Sequence, residues 1–156
     1  MQKITPFLWF DKNVREAAEF YVSVFGDDSE IVHVAGLSGT PSGDIEVVTL
    51  KLRGHEFTLM GAGPEFKFTE AVSFLIECDD QAEVDYFWEK LSASPANEQC
   101  GWLKDKYGLS WQVTPKQMMD YLNGPDSEGR NRALKAMMGM RKLVIDELRK
   151  AYAGEI

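Results

Sequence analysis

The apolar positions along the chain fall into short runs with two periods. Ile4 to Phe10 is an apolar run opened by a proline, which predicts a strand. After Asn13, the residues Val14, Ala17, Ala18, Tyr21, Val24 and Phe25 recur at helical spacing, with Asn13-x-x-Glu16 readable as a capping box and Gly26 as the stop. Strands are then expected over Glu30 to Leu37, Ile45 to Arg53 and His55 to Met60, the first two separated by a Gly/Ser/Pro loop reaching Gly43.

A second series starts near Ala71. It reads as a strand over Val72 to Cys78, a helix opened by Asp80-x-x-Glu83 with Val84, Phe87, Trp88 and Leu91 on one face, and strands over Asn97 to Lys104 and Leu109 to Thr114. One strand is indistinct, because Ser92 to Glu98 leaves little room for it. The two series read as copies. An offset of 67 lays Pro6-Phe7-Leu8-Trp9 over Ser73-Phe74-Leu75-Ile76, Glu16 over Glu83 and Phe20 over Phe87. An offset of 54 lays Gly54 to Leu59 over Gly108 to Val113. The expected organisation is α+β: tandem βαβββ repeats over residues 1–114 (repeat one about 1–64, repeat two about 70–114) forming a half-open barrel. A helical extension over residues 115–156 follows, containing the segments around Met118 and Tyr121, Arg130 to Met140 and Leu143 to Tyr152.

Composition narrows the function classes. The 156 residues carry 25 Asp+Glu against 17 Lys+Arg, a net charge of −8, which argues against a nucleic-acid or anionic-membrane surface. The charge is uneven: Arg130 to Ile156 holds seven basic and three acidic residues, a net of +4, while the preceding 129 residues carry −12. Cys78 and Cys100 are too few for a disulfide framework or closed zinc site, and no apolar run approaches the roughly 20 residues of a membrane span. The expected setting is cytoplasmic, with neither nucleic acid nor membrane as partner.

The stretches Thr5-Pro6-Phe7-Leu8-Trp9-Phe10, Ala17-Ala18-Glu19-Phe20-Tyr21, Gly101 to Gln112 (GWLKDKYGLSWQ) and Ala136 to Leu143 (AMMGMRKL) resemble the PhnB-like branch of the vicinal oxygen chelate superfamily, the glyoxalase/bleomycin resistance/dioxygenase group. Members of that branch are often labelled 3-demethylubiquinone-9 3-methyltransferase. The resemblance implies a glyoxalase-like fold with a ligand cavity inside the barrel, and a homodimer in which the basic tail meets the acidic body of a second copy. It also implies divalent-metal positions, which carry over onto Pro6, Thr58, Ser73 and Gln112. Proline has no ligating side chain, and neutral hydroxyls are poor ligands beside imidazole or carboxylate, so only Gln112 could serve. No cofactor is expected on this basis, with a divalent metal left open. Methyl transfer would call for a glycine-rich turn between a strand and a helix, and none is present.

Strand parity assigns the faces. Phe7, Trp9, Phe57, Leu59, Phe74, Trp111 and Val113 are expected to pack on the helices. Leu8, Phe10, Glu56, Thr58, Met60, Ser73, Leu75, Ser110 and Gln112 are expected to line the cavity. Such a lining suits a small, partly apolar organic molecule with few hydrogen bonds. The alternative is an enzyme, either metal-assisted lyase or dioxygenase chemistry or acid–base work by Glu56, whose bland reading is a carboxylate at the barrel mouth. His33, His55 and Cys100 have no partners at ligand or dyad spacing and read as solvated or inert.

Overall fold

The computed structural model describes residues 2–156, and the chain divides into two compact units, residues 1–68 and 69–156.

In the first unit, β1 (Phe7–Phe10), α1 (Val14–Phe25), β2 (Glu30–Thr40), β3 (Gly43–Leu52) and β4 (His55–Gly61) form an open sheet ordered β1-β4-β3-β2 with α1 on one face. Only β1 and β4 run parallel. The helix exists because its apolar stripe has a place to go: Val14, Ala17, Ala18, Tyr21, Val24 and Phe25 are all buried, alongside Val48, Leu50 and Leu59 of the sheet. Gly26 ends the helix with φ of 67°. The expected capping box does not form: Asn13 has φ of 55° and its side chain makes no cap hydrogen bond. A left-handed residue there turns the chain out of β1, and that geometry excludes the extended conformation an N-cap needs. The β2–β3 hairpin also runs further than expected, closed at its tip by Thr40, whose Oγ1 donates to the Gly43 carbonyl at 2.6 Å and accepts from Ser42 N at 3.2 Å.

In the second unit, β5 (Ser73–Cys78), α2 (Gln81–Leu91), β6 (Trp102–Lys104) and β7 (Ser110–Pro115) form a sheet ordered β5-β7-β6. Here the capping box is real: Asp80 accepts from Glu83 N at 2.9 Å, and Glu83 accepts from Asp79 N at 2.7 Å. The missing strand is replaced by a 3-10 turn at Pro95–Asn97, and β6 begins only at Trp102, after a tight turn through Cys100 and Gly101 with φ of 50° and 85°. The architecture is thus α+β with two βαβββ-type units, the second one strand short, and neither sheet closes on itself.

Helices α3 (Met118–Leu122), α4 (Ser127–Met138) and α5 (Ile145–Ala153) belong to the second unit. Met140, Leu143 and Leu148 form their core, with Met118, Tyr121, Ala136 and Met137 packed around it. Main-chain bonds tie the segment to the sheet: Cys100 N donates to Met140 O at 2.9 Å and Gly101 N to Arg141 O at 2.8 Å. Gln81 bridges from α2, donating to Leu143 O at 3.0 Å and accepting from Ile145 N at 2.8 Å. The basic charges of the tail find carboxylates in the same chain: Lys142 with Asp85, Arg141 with Glu98, Arg132 with Asp126, and Arg149 and Lys150 with Asp146. Among the described residues no helix is long and apolar enough to cross a membrane.

Candidate functional site

Strand register decides which side chains share a face, since laterally paired residues point the same way. In the first sheet Phe7 pairs with Thr58 and Trp9 with Met60, while Leu8 pairs with Leu59 and Phe10 with Gly61. Leu59 is buried, and the Phe10 ring meets Tyr21 of α1 edge-on at 6.3 Å. Leu8 and Phe10 therefore lie on the helix-packed face, and Phe7 and Trp9 on the helix-free one. This inverts the expected parity of β1. The offset of 67 is the cause: with 54 for the last strand, it would carry the pair Phe7–Thr58 onto Phe74 and Gln112. Phe74 instead pairs with Trp111, and Gln112 with Leu75.

The helix-free face of the first sheet then presents Phe7, Trp9, Thr58 and Met60, with Thr49 and Val47 of β3 alongside. Phe7 is 59% exposed. Trp9 is held from two sides: its Nε1 donates to Gly63 O at 2.9 Å, and Phe66 stacks against it edge-on at 5.0 Å. Glu56 lies on the same face beside Lys51, and its main chain is clasped by the Gln2 side chain through bonds of 2.9 and 3.1 Å. His33 and His55 are exposed.

On the second sheet the expected faces and the register agree. Phe74, Trp111 and Val113 lie toward α2, the first two rings 5.7 Å apart. The other face carries Ser73, Leu75, Ser110 and Gln112, joined by Trp102 and Lys104 of β6. Gln112 Nε2 donates to Ser73 Oγ at 2.9 Å. Leu75 is 56% exposed, whereas Ser110 is 1% exposed and its Oγ has no hydrogen-bond partner. Lys104 Nζ lies 2.6 Å from Glu70 Oε1, and that ammonium holds the Glu70 carboxyl below its ordinary value.

A separate groove of about 650 Å³ opens at the start of α1, lined by Asp11, Asn13, Arg15, Asp44, Glu46 and Gly61 among others. None of the residues expected to line a cavity borders it. Arg15 and Glu46 meet across it at 2.9 Å.

Residues 2–114 match the family model described as 3-demethylubiquinone-9 3-methyltransferase. The chain belongs to that family. A solved structure labelled as a 3-demethylubiquinone-9 3-methyltransferase, the PhnB protein of Bacillus cereus, is 35% identical, with a TM-score of 0.60 over 73% of this chain and 99% of that one. Protein PA1353 from Pseudomonas aeruginosa shares the fold at 20% identity, with a TM-score of 0.54 over 74% and 98% of the two chains. No curated protein matches. The family match ends at residue 114, so α3, α4 and α5 lie beyond it.

The family's label, and the superfamily that the sequence resembles, imply two groups that these residues can be tested against. For a methyl donor, the strand-to-helix turns are Asp11-Lys12-Asn13 and Asp79-Asp80, both lacking the glycines that let a backbone cradle such a ligand, so the residues do not fit it. For a divalent ion, Gln112 is the one carried-over position with a good donor atom, Ser73 Oγ already accepts from Gln112 Nε2, and among the described residues no three His, Cys, Asp or Glu side chains converge. A mononuclear site needs about three protein ligands, and this donor set does not fit one.

One residue of the GWLKDKYGLSWQ stretch, Asp105, has a part here that the sequence analysis does not assign. Asp105 is 3% exposed and accepts from Tyr107 N at 2.9 Å, Leu109 N at 3.1 Å and Trp111 Nε1 at 2.9 Å. It fixes the turn before β7 and the indole beneath Ser110 and Gln112. The signal was the Asp-x-x-Gly turn followed by a tryptophan.

Cys100 lies in its turn with Gln99 Nε2 3.1 Å and Met138 Sδ 3.9 Å from its sulfur.

Proposed function

We propose that this chain binds a small, partly apolar organic molecule on the helix-free faces of its sheets. The observation that supports this is the exposure of Leu75 and Phe7 on those faces, beside the bonded pair Ser73 and Gln112 and the hydroxyl of Thr58. Apolar side chains at such positions leave water only when something covers them, and a few placed polar groups orient what does. Catalysis by Glu56 has no comparable support, since Glu56 sits at the end of its face against Lys51.

A library of small organic molecules, scored by thermal shift and native mass spectrometry, tests the reading. A hit should lose at least about tenfold in affinity on Leu75→Asp or Phe7→Asp, each with an unchanged circular dichroism spectrum. A hit that binds both variants as well as the parent would place the site elsewhere. Following the same hits for turnover distinguishes a binder from an enzyme.

The homodimer implied by the superfamily belongs to the same proposal. Five of the tail's seven basic residues pair with carboxylates in-chain, so apolar cover more than charge supplies its driving force. Sedimentation equilibrium should return twice 17.6 kDa, and a monomer at micromolar concentration would withdraw it.

A further inference from the structure

Lys104, Ser110 and Ser73 stand in one row across β6, β7 and β5, because Lys104 pairs with Ser110 and Ser110 with Ser73. Neighbouring strands are about 4.8 Å apart, so an ammonium and two hydroxyls face the same side within reach of one small group. Each of the three has a proton to give. Ser73 Oγ accepts from Gln112, which leaves its own hydrogen for another acceptor. An ammonium has three donors, and Glu70 is the one carboxylate in contact with Lys104 Nζ among the described residues. Ser110 is buried with its Oγ unpartnered, which is rare because buried polar groups are nearly always satisfied.

One member of this row, Lys104, already holds a carboxylate. Glu70 lies in the segment leading into β5, and its side chain is 63% exposed, held by the ion pair with Lys104 and by its own main-chain N–H. Such pairs contribute little and exchange readily. The next row, Trp102, Gln112 and Leu75, is apolar at both ends with an amide between.

We propose that the Lys104–Ser110–Ser73 row receives an oxyanion of the bound molecule, a carboxylate or a phosphonate, in exchange for Glu70. This rests on the ligand-binding reading above and adds the charge class of the ligand. The ligand's oxygens take hydrogen bonds from Lys104 Nζ and the serine hydroxyls, its apolar body lies along Trp102 and Leu75, and the Glu70 carboxylate swings into water.

The test is a titration of the full chain followed by amide resonances, including the Gln112 side chain, with three probes of one skeleton: benzoate, phenylphosphonate and benzyl alcohol. The anions should bind and the alcohol should bind at least about tenfold more weakly, as expected for loss of a charge-assisted contact. Glu70→Gln removes the internal competitor and should tighten the anions about two- to fivefold. Lys104→Met should weaken them about tenfold or more, and Ser110→Ala several-fold. Glu77→Gln makes the same charge change on the same face of β5, away from Lys104, and should leave affinity unchanged. Tightening by Glu77→Gln equal to that of Glu70→Gln, or equal binding of the alcohol, would overturn the oxyanion inference while leaving ligand binding intact. No response of the row to either anion would overturn it as well. A preference between benzoate and phenylphosphonate assigns the oxyanion.

Discussion

Replacing Asp105 by asparagine isolates what the buried carboxylate does for the second unit. Its Oδ1 serves two main-chain donors, Tyr107 N and Leu109 N, while Oδ2 serves Trp111 Nε1. An amide has one oxygen, and the lowest-cost orientation leaves that oxygen with the two main-chain donors. Its NH₂ group then faces the indole N–H, donor against donor. Asp105 and Trp111 are each 3% exposed, so water offers no relief. The loss of one hydrogen bond to a charged acceptor is about 1.5–3 kcal/mol, and an unsatisfied buried donor adds about 1–3 kcal/mol. Because these overlap, Asp105→Asn should destabilise by about 3–4 kcal/mol, seen as a fall in Tm of roughly 10 °C for a chain of this size. Urea unfolding followed by circular dichroism and tryptophan fluorescence measures it. Trp111→Phe removes the opposing donor, so the double variant should show a favourable coupling of about 1–2 kcal/mol. A cost below about 0.5 kcal/mol for Asp105→Asn, or a coupling of zero, would refute the account of Asp105 as the staple of this turn.

Further expectations follow from single contacts. Asp80→Ala should cost about 1 kcal/mol through loss of the bond to Glu83 N, whereas Asn13→Gly should be neutral or stabilising, since Asn13 caps nothing and sits at φ of 55°; equal losses at both sites would contradict this, by denaturant melts. Gly101→Ala should cost about 2–3 kcal/mol, because φ is 85° and a Cβ would lie 2.9 Å from Leu143 Cδ1 and 3.1 Å from Val113 O; an unchanged Tm would count against the tight approach. The bond from Lys142 and then that from Gln81 lower the Asp85 carboxyl, so the group stabilises above its unfolded value near pH 3.9 and that contribution disappears as pH falls further. Asp85 is largely solvated, which limits the effect to about 1 kcal/mol or less; the stability difference between the parent and Asp85→Asn should be present at pH 6 and gone by about pH 2, and a difference that grows on acidification would reverse the sign argued here.

The elements that could be read from the chain were those whose residues repeat a constraint. The stripe Val14, Ala17, Ala18, Tyr21, Val24 and Phe25 admits one solution, and all six residues are buried as that solution requires. The box Asp80-x-x-Glu83 reads correctly because Asp80 is extended. Asn13-x-x-Glu16 has the same spelling and fails because Asn13 leaves β1 in the left-handed conformation, a fact of tertiary connection. The extent of β6 was hidden for a similar reason. Its turn closes through Cys100 and Gly101, and the main chain there is held by Met140 and Arg141, far along the sequence. Ser110, Ser73 and Lys104 become a set only through register, which no local pattern encodes.

The inverted face of β1 follows from the same logic. Phe7-Leu8-Trp9-Phe10 is apolar at every position, so period 2 leaves no mark and either parity looks acceptable. The corresponding strand, Ser73 to Cys78, places Ser73 and Glu77 on one face, and that polar pair reveals its parity. The offset of 67 that lays these strands over each other is one residue short of the 68 their registers give, 75 − 7, so it matches opposite faces. The slip matters less for metal chemistry than for the lining. It moves the first-strand position from Pro6 to its neighbours Thr5 or Phe7, and Ile4 to Phe10 holds no imidazole, thiol or carboxylate at either parity. The poor donor set therefore does not depend on the alignment. What the correction changes is the wall a ligand would meet: in place of Leu8 and Phe10 it meets Phe7 and a Trp9 fixed by Gly63 and Phe66, two aromatic side chains where one and an aliphatic were expected. A planar, unsaturated ligand body gains more from that surface than a saturated one of equal area, through ring-on-ring contacts of about 0.5–1.5 kcal/mol beyond burial.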